Sequence, residues 1–133
     1  MDSPFPGLKV SQRQFIALEE LLRRDFIARA ARHVRQFFPK HAAALSAEQL
    51  DALIEFGIER GAAHGMVAER DVCKLVDLMV AFGPLFETDK QHPWAARILL
   101  DAKGKDPTQL VNELYDAGLD SLKKKPGFGN GAR

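Results

Sequence analysis

Cysteine is nearly absent from this chain, and its scarcity excludes several kinds of site. Cys73 is the single cysteine among 133 residues, so the chain cannot close an internal disulfide or build a cysteine-based metal cluster. It lies in the most apolar stretch of the sequence, where a thiol behaves as a small hydrophobic side chain. We therefore expect no cysteine nucleophile.

Long hydrophobic runs and a recognisable leader are also missing. No uninterrupted apolar stretch approaches the ~20 residues that a membrane span needs. The opening MDSPFPGLKV has an acid, two prolines and a glycine, where a signal peptide has a basic region and then an apolar one. The sequence thus predicts a cytoplasmic protein with no membrane partner.

Signatures of catalysis and of cofactor binding are absent as well. The chain has no phosphate-binding loop, no dinucleotide fingerprint and no zinc-protease motif. Its four histidines never stand four residues apart, the spacing that puts two metal ligands on one helix face. Glu87, Asp89 and His92 could meet one ion, but they supply too few oxygens for a calcium loop. We expect no catalytic residue, no cofactor and no metal; a small metal-binding or regulatory domain is the alternative of another class.

What is present predicts helices. Hydrophobic residues make up 46% of the chain and charged residues 28%, values typical of a globular domain. Apolar positions recur every three or four residues, and Ser46 with Gln49 fits a capping box. Pro39 is expected to end the first helix. The predicted helices cover 11–38, 46–65, 68–82, 93 to the break at 103–105, and 106–122.

These segments predict an all-α fold, a compact single-domain bundle of about five helices. The third is apolar on most sides, which is typical of a central helix. The expected organisation is a flexible segment 1–10, a helical domain 11–122 and a disordered basic, glycine-rich tail 123–133. The first helix is expected to pack its apolar positions inward, namely Phe15, Leu18, Leu22, Phe26, Ala30 and Phe37. Gly57 and Gly61 are expected to admit a close helix crossing, and Gly65 to end the second helix.

Charge is unevenly distributed although the net charge is only +1. Residues 9–40 carry eight basic against three acidic residues, and residues 41–101 carry ten acidic against five basic ones. Nucleic acid is an unlikely partner, because a recognition helix beginning at 68 would present acids to phosphates. Arg24, Arg32 and Arg35 form a basic face on the first helix. They are candidates for contact with an acidic protein; otherwise they pair with acids of the second helix or with solvent.

The connection FGPLFETDKQHPWAARILLD, residues 82–101, is the least ordinary stretch. Phe86 and Trp94 are large apolar anchors, and Thr88 or Asp89 is expected to cap a turn. One interpretation is a connector that packs on its own core, with His92 left exposed. The other is contact with a partner, since tryptophan is enriched at interaction hot spots. Phe86, Asp89, His92 and Trp94 are therefore candidate partner-binding residues.

Several short motifs resemble a known group of proteins over roughly residues 26–119. They are Ile54-x-x-Gly57-Ile58-x-Arg60, Gly83-x-x-Phe86-x-x-Asp89 and Pro93-Trp94-Ala95-x-x-Ile98-Leu99. The pattern resembles small, mostly uncharacterised all-helical bacterial proteins encoded near type VI secretion spike and effector genes. The resemblance implies a cytoplasmic effector adaptor, chaperone or cognate immunity protein, and it supplies no catalytic residues.

The functional hypothesis is a non-enzymatic protein-binding accessory of bacterial effector delivery. Its partner would be a secreted effector or a spike component. The alternative is an immunity protein that occludes a cognate toxin, for which the acidic region 41–101 would suit a basic surface. The sequence leaves the oligomeric state open.

Overall fold

The computed structural model describes residues 11–124, which form helices connected by short turns, with no strand in that range. The helices are α1 (Gln12–Phe37), α2 (Pro39–Ala43), α3 (Ala47–Ala63), α4 (Glu69–Phe82), α5 (Pro93–Leu100) and α6 (Pro107–Lys124), with one turn of 3-10 helix at Phe86–Thr88. The predicted all-α class is confirmed for these residues. None of the helices in the described range has the length and hydrophobicity to cross a membrane.

The ends of the chain were predicted to be flexible or disordered. Residues 1–10 and 125–133 lie outside the described residues. Within the described range, α6 continues through Lys123 and Lys124, two residues into the predicted tail.

The described residues contain six α-helices where the sequence predicts about five. Pro39 ends α1 as expected, but it also starts the short helix α2. The fixed φ of proline suits the first turn of a helix, where a missing N–H costs nothing. Phe38 links the two helices, and its N–H donates to the carbonyl of Val34. The same residue that stops one helix thus begins the next.

The predicted helix starts are confirmed at three positions. At Ser11 and Ser46 the serine side chain accepts the N–H three residues on, and the glutamine there accepts the serine N–H, so both capping boxes are complete. Asp106 Oδ1 accepts the N–H of Gln109 at 2.7 Å ahead of α6. Each cap satisfies backbone donors that the first turn of a helix leaves without partners.

Helix α4 contributes to both halves of the core. Val72, Val76 and Val80 pack with buried residues of α1 and α3. Leu75, Leu78 and Met79 pack with α5, α6 and the 3-10 turn. Because α4 touches α1, α3 and α6, it fixes how the remaining helices lie relative to one another.

The crossing of α3 and α4 depends on Gly57. A Cβ at this position would lie 2.7 Å from Val76 Cγ2 and 3.4 Å from Met79 Sδ. Val76 is branched at Cβ and lies in a packed core, so its side chain cannot rotate away from an added methyl group. This confirms the predicted close approach of a second helix.

Gly57→Ala is therefore expected to lower the free energy of unfolding by about 1–3 kcal/mol, the usual cost of overpacking. Intrinsic propensity works in the opposite direction, since alanine is better in a helix by about 1 kcal/mol. Urea denaturation of both proteins measures the difference. Ala52→Gly on the exposed face of α3 is the control: there alanine should be the better residue. If alanine is better at both positions, the close crossing does not constrain the fold.

The apolar stripe of α1 packs only in its second half. Phe26 and Ala30 are buried, as predicted. Phe15, Leu18 and Leu22 are 37%, 50% and 59% exposed, and Phe37, at the far end, is exposed as well. The prediction was wrong for these four residues. Periodicity identifies the apolar face of a helix but not whether another helix covers it. Helix α1 has 26 residues and is longer than α3, with 17 residues, and α4, with 14.

Candidate protein-binding surfaces

The connector between α4 and α5 turns the chain by local backbone geometry. Gly83 has φ +106°, in the region that favours glycine, and ends α4. After the 3-10 turn, Asp89 Oδ1 accepts the N–H of Gln91 at 2.8 Å, which is the predicted turn cap. Pro93 then begins α5.

The connector packs on itself and on the core through aromatic rings. Phe86 is 1% exposed and His92 is 5% exposed. The ring of Phe82 lies edge-on to those of His92 and Trp94, with centroids 4.9 and 5.2 Å away. His92 had been predicted to be exposed; burial in this cluster corrects that expectation. Phe86 and His92 therefore offer no surface to a partner in this conformation.

Two candidates of the connector reach the surface. Asp89 and Trp94 are half-buried, and Asp89 Oδ2 lies 3.9 Å from His92 Nε2. Trp94 lies at the floor of a cleft between α5 and α6, which Arg97 and Lys124 also line. For these residues the arrangement supports the self-packed interpretation of the connector.

Glu87 is the centre of a buried charge network that the sequence did not suggest. Its side chain is 10% exposed. Arg60 donates to Oε1 from Nε at 3.1 Å and from Nη2 at 2.7 Å. His64 Nε2 lies 2.9 Å from Oε2. Arg60 lies in the last turn of α3 and His64 directly follows the helix, so the network fastens the connector to the end of α3.

This placement separates the three residues considered as metal ligands. Glu87 faces Arg60 and His64, whereas Asp89 caps a turn and His92 stands in the aromatic cluster. Within residues 11–124 no group of three histidine, cysteine or acidic side chains lies close enough to hold a metal ion. The connector is thus explained by structural contacts.

Cys73 and Asp77 share one face of α4. Burial raises the pKa of the Cys73 thiol, and the nearby Asp77 carboxylate raises it further. A thiol with a raised pKa holds little of the nucleophilic thiolate at neutral pH. Asp77 is buried, with Oδ1 2.8 Å from His33 Nε2.

Burial raises the pKa of Asp77 despite the opposing effect of His33. The folded state then binds a proton more tightly than the unfolded state, so the stability of the wild type falls as the pH rises from about 4 through the raised pKa. Asp77→Asn cannot ionise and lacks this dependence. We expect the stability of the wild type relative to the variant to decrease between pH 4 and pH 7. Urea denaturation across that interval measures it, and parallel curves would contradict the assignment.

An apolar groove of about 650 Å³ lies between α2, α3 and the end of α4. Helices α2 and α3 form one wall, and the end of α4 with the start of the connector forms the other. Leu85, 65% exposed, stands on its rim. The residues that line the groove are His41, Ala44, Leu45, Gln49, Ala52, Leu53, Phe56, Met79, Val80, Gly83, Pro84 and Leu85. No pattern in the sequence indicates this groove, because its walls come from separate helices.

The three candidate arginines of α1 lie on its exposed face. Arg24 Nε is 3.6 Å from Glu20 Oε1 on the same helix. Arg32 and Arg35 make no ion pair with any residue between 11 and 124. The predicted pairing with acids of the second helix is found instead at Arg23, whose Nη2 lies 3.9 Å from Glu59 Oε2.

Comparison of the chain with protein-family models, with curated proteins and with solved structures gives no match in any of the three.

Proposed function

We propose that this chain is a cytoplasmic, non-enzymatic protein-binding accessory, and that the apolar groove takes an amphipathic helix of its partner. The observation that carries the proposal is the groove itself. Its volume of about 650 Å³ falls in the range of about 300–1,000 Å³ that is typical of ligand sites. Its lining is almost wholly apolar, which suits the hydrophobic face of a helix better than it suits a polar metabolite.

The position of the groove also supports this function. Leu53 and Phe56 on α3 face Met79 and Val80 on α4 across it. These residues belong to the rigid core at the close α3–α4 crossing, so the floor is preorganised and costs little entropy on binding. The exposed Leu85 on the rim would lose its contact with water when a partner helix docks.

The resemblance to proteins encoded near type VI secretion genes supplies the proposed partner. We propose a secreted effector or a spike component, delivered with this chain acting as adaptor or chaperone. An immunity protein would differ in occluding the active site of a toxin. The acidic outer face of α3 would favour that role if the toxin surface were basic.

Co-expression with the effector encoded beside its gene tests the function. We expect the effector to co-purify with this chain in stoichiometric amounts. Leu85→Asp should abolish recovery, because it places a charge on the apolar rim. Leu100→Asp is the matched control, since Leu100 is 88% exposed and lies outside the groove. Equal recovery with both variants would exclude the groove as the binding surface, and no recovery with the wild type would contradict the accessory function. Loss of effector toxicity on binding would select the immunity role.

A further inference from the structure

Two exposed ridges of opposite charge run along α1 and α3. The basic ridge consists of Arg24, Arg32 and Arg35. The acidic ridge consists of Glu48, Asp51, Glu55 and Glu59. All seven residues are exposed. From first to last residue each ridge spans eleven positions, about 16 Å of helix.

These charges are largely uncompensated within residues 11–124. Arg32, Arg35, Glu48, Asp51 and Glu55 make no ion pair there. Arg24 and Glu59 have only distant partners, at 3.6 and 3.9 Å. The acids follow one another at intervals of three and four residues, where like charges destabilise a helix. An opposite charge laid against the ridge would relieve that repulsion.

Most residues of the two ridges point away from α4. At about 100° per residue, Arg24 and Arg35 lie roughly 160–180° around α1 from His33, which bonds α4 through Asp77. Arg32 lies at the side of this surface, roughly 100° from His33. On α3, Glu55 and Glu59 lie roughly 160° from Gly57, which touches Val76 of α4. The outer surface of the α1–α3 pair is therefore half basic and half acidic.

The basic residues of α1 and the acidic residues of α3 also lie at matching heights along the two helix axes. They run antiparallel, with Arg23 beside Glu59 within one chain. A two-fold axis parallel to the helices, in front of this surface, would set α1 of each copy against α3 of the other at the same heights. Basic and acidic residues would then meet in pairs whose numbers add up to 83: Arg24 with Glu59, Arg32 with Asp51 and Arg35 with Glu48.

We propose that two copies of this chain associate through the basic ridge of α1 and the acidic ridge of α3, as a symmetric dimer. The surface is self-complementary, as a two-fold interface requires. Between the ion pairs, Ala28 on α1 of one copy would face Glu55 on α3 of the other. Beyond them, Leu21 would face Ala62. The dimer is salt-sensitive, because exposed ion pairs are individually weak and are screened. It goes beyond the proposed function and uses a different face from the groove.

Sedimentation velocity of the full chain at low salt tests the proposal, with two charge-reversed variants. With Arg32→Glu and Arg35→Glu, only acidic residues remain at positions 32, 35, 48 and 51. With Glu48→Lys and Asp51→Lys, only basic residues remain at those four positions. Each variant alone should sediment as a monomer, its dimer Kd raised by more than about tenfold. An equal mixture of the two should regain the dimer mass, since a mixed dimer restores opposite charges in all four of these pairs, two with their signs exchanged and two as in the wild type. Arg97→Glu with Lys103→Glu, an equal charge change on exposed residues elsewhere, should remain dimeric.

Two results would overturn the proposal. One is a wild-type chain that stays monomeric at low salt up to about 100 μM, a concentration at which even weak dimers form. The other is a mixture of the two reversed variants that stays monomeric while the Arg97 and Lys103 control is dimeric. Effector recovery in the groove experiment is independent of either result, so the failure of the dimer and the failure of the accessory function are distinguishable.

Discussion

Replacing Phe86 by alanine is expected to lower the free energy of unfolding by about 3–5 kcal/mol, the range for removing a buried aromatic side chain. Phe86 is 1% exposed and belongs to the core cluster that joins α4, α5 and α6. Its removal leaves a cavity beside Trp94, whose ring centroid lies 6.0 Å away. A loss of this size is a large part of the 5–15 kcal/mol that stabilises a typical domain.

Leu85→Ala is the matched control for Phe86→Ala. The two residues are adjacent, but Leu85 is 65% exposed, so its truncation should change stability by less than about 0.5 kcal/mol. Urea denaturation followed by circular dichroism compares the two variants. Similar losses for both would mean that the connector does not use Phe86 as its anchor.

The second large effect is expected at Arg60. Arg60→Met keeps the length of the side chain but removes the guanidinium that donates twice to Glu87. A buried carboxylate that loses its only partner costs about 3–5 kcal/mol, but His64 Nε2 still lies 2.9 Å from Glu87 Oε2. Because Arg60 is 40% exposed, water can replace part of the interaction, and we expect about 2–3 kcal/mol.

Two further variants define the origin of that loss. Arg97→Met removes an arginine that makes no ion pair within the described residues, and it should be nearly neutral. Arg60→Met combined with Glu87→Leu removes both charges and should recover much of the stability, since an apolar pair can replace a buried ion pair. If the double variant is no more stable than Arg60→Met, the loss comes from packing rather than from the unpaired carboxylate.

Local sequence signals predicted local structure well. Ser11, Ser46 and Asp106 cap helices where the sequence indicated, because a cap involves residues only three positions apart. Pro39 was interpreted correctly as a stop, but its second role was missed. Starting α2 requires that the chain turn after Phe38, which the packing of Phe38 and Ala42 on the core decides.

Long-range features could not be obtained in this way. Arg60 and His64 meet Glu87 across 27 and 23 residues, and no spacing rule connects an ion pair on α3 to a 3-10 turn. The groove needs the relative placement of α2, α3 and α4. The first turns of α1 show the converse: their periodicity is that of a packed helix, yet Phe15, Leu18 and Leu22 are 37%, 50% and 59% exposed. The pattern predicted apolarity correctly and burial wrongly.

The overhang of α1 has a consequence for how the molecule opens. Its first two turns run beyond the end of α3, because Arg23 lies beside Glu59 and α3 ends at Ala63, and an isolated helix of that length is marginal in water. Local unfolding there leaves Phe26 and the core untouched, so amide protons before Arg23 exchange through small openings. Those after Phe26 exchange only when the bundle itself unfolds. One continuous helix thus belongs to two cooperative units of very different stability.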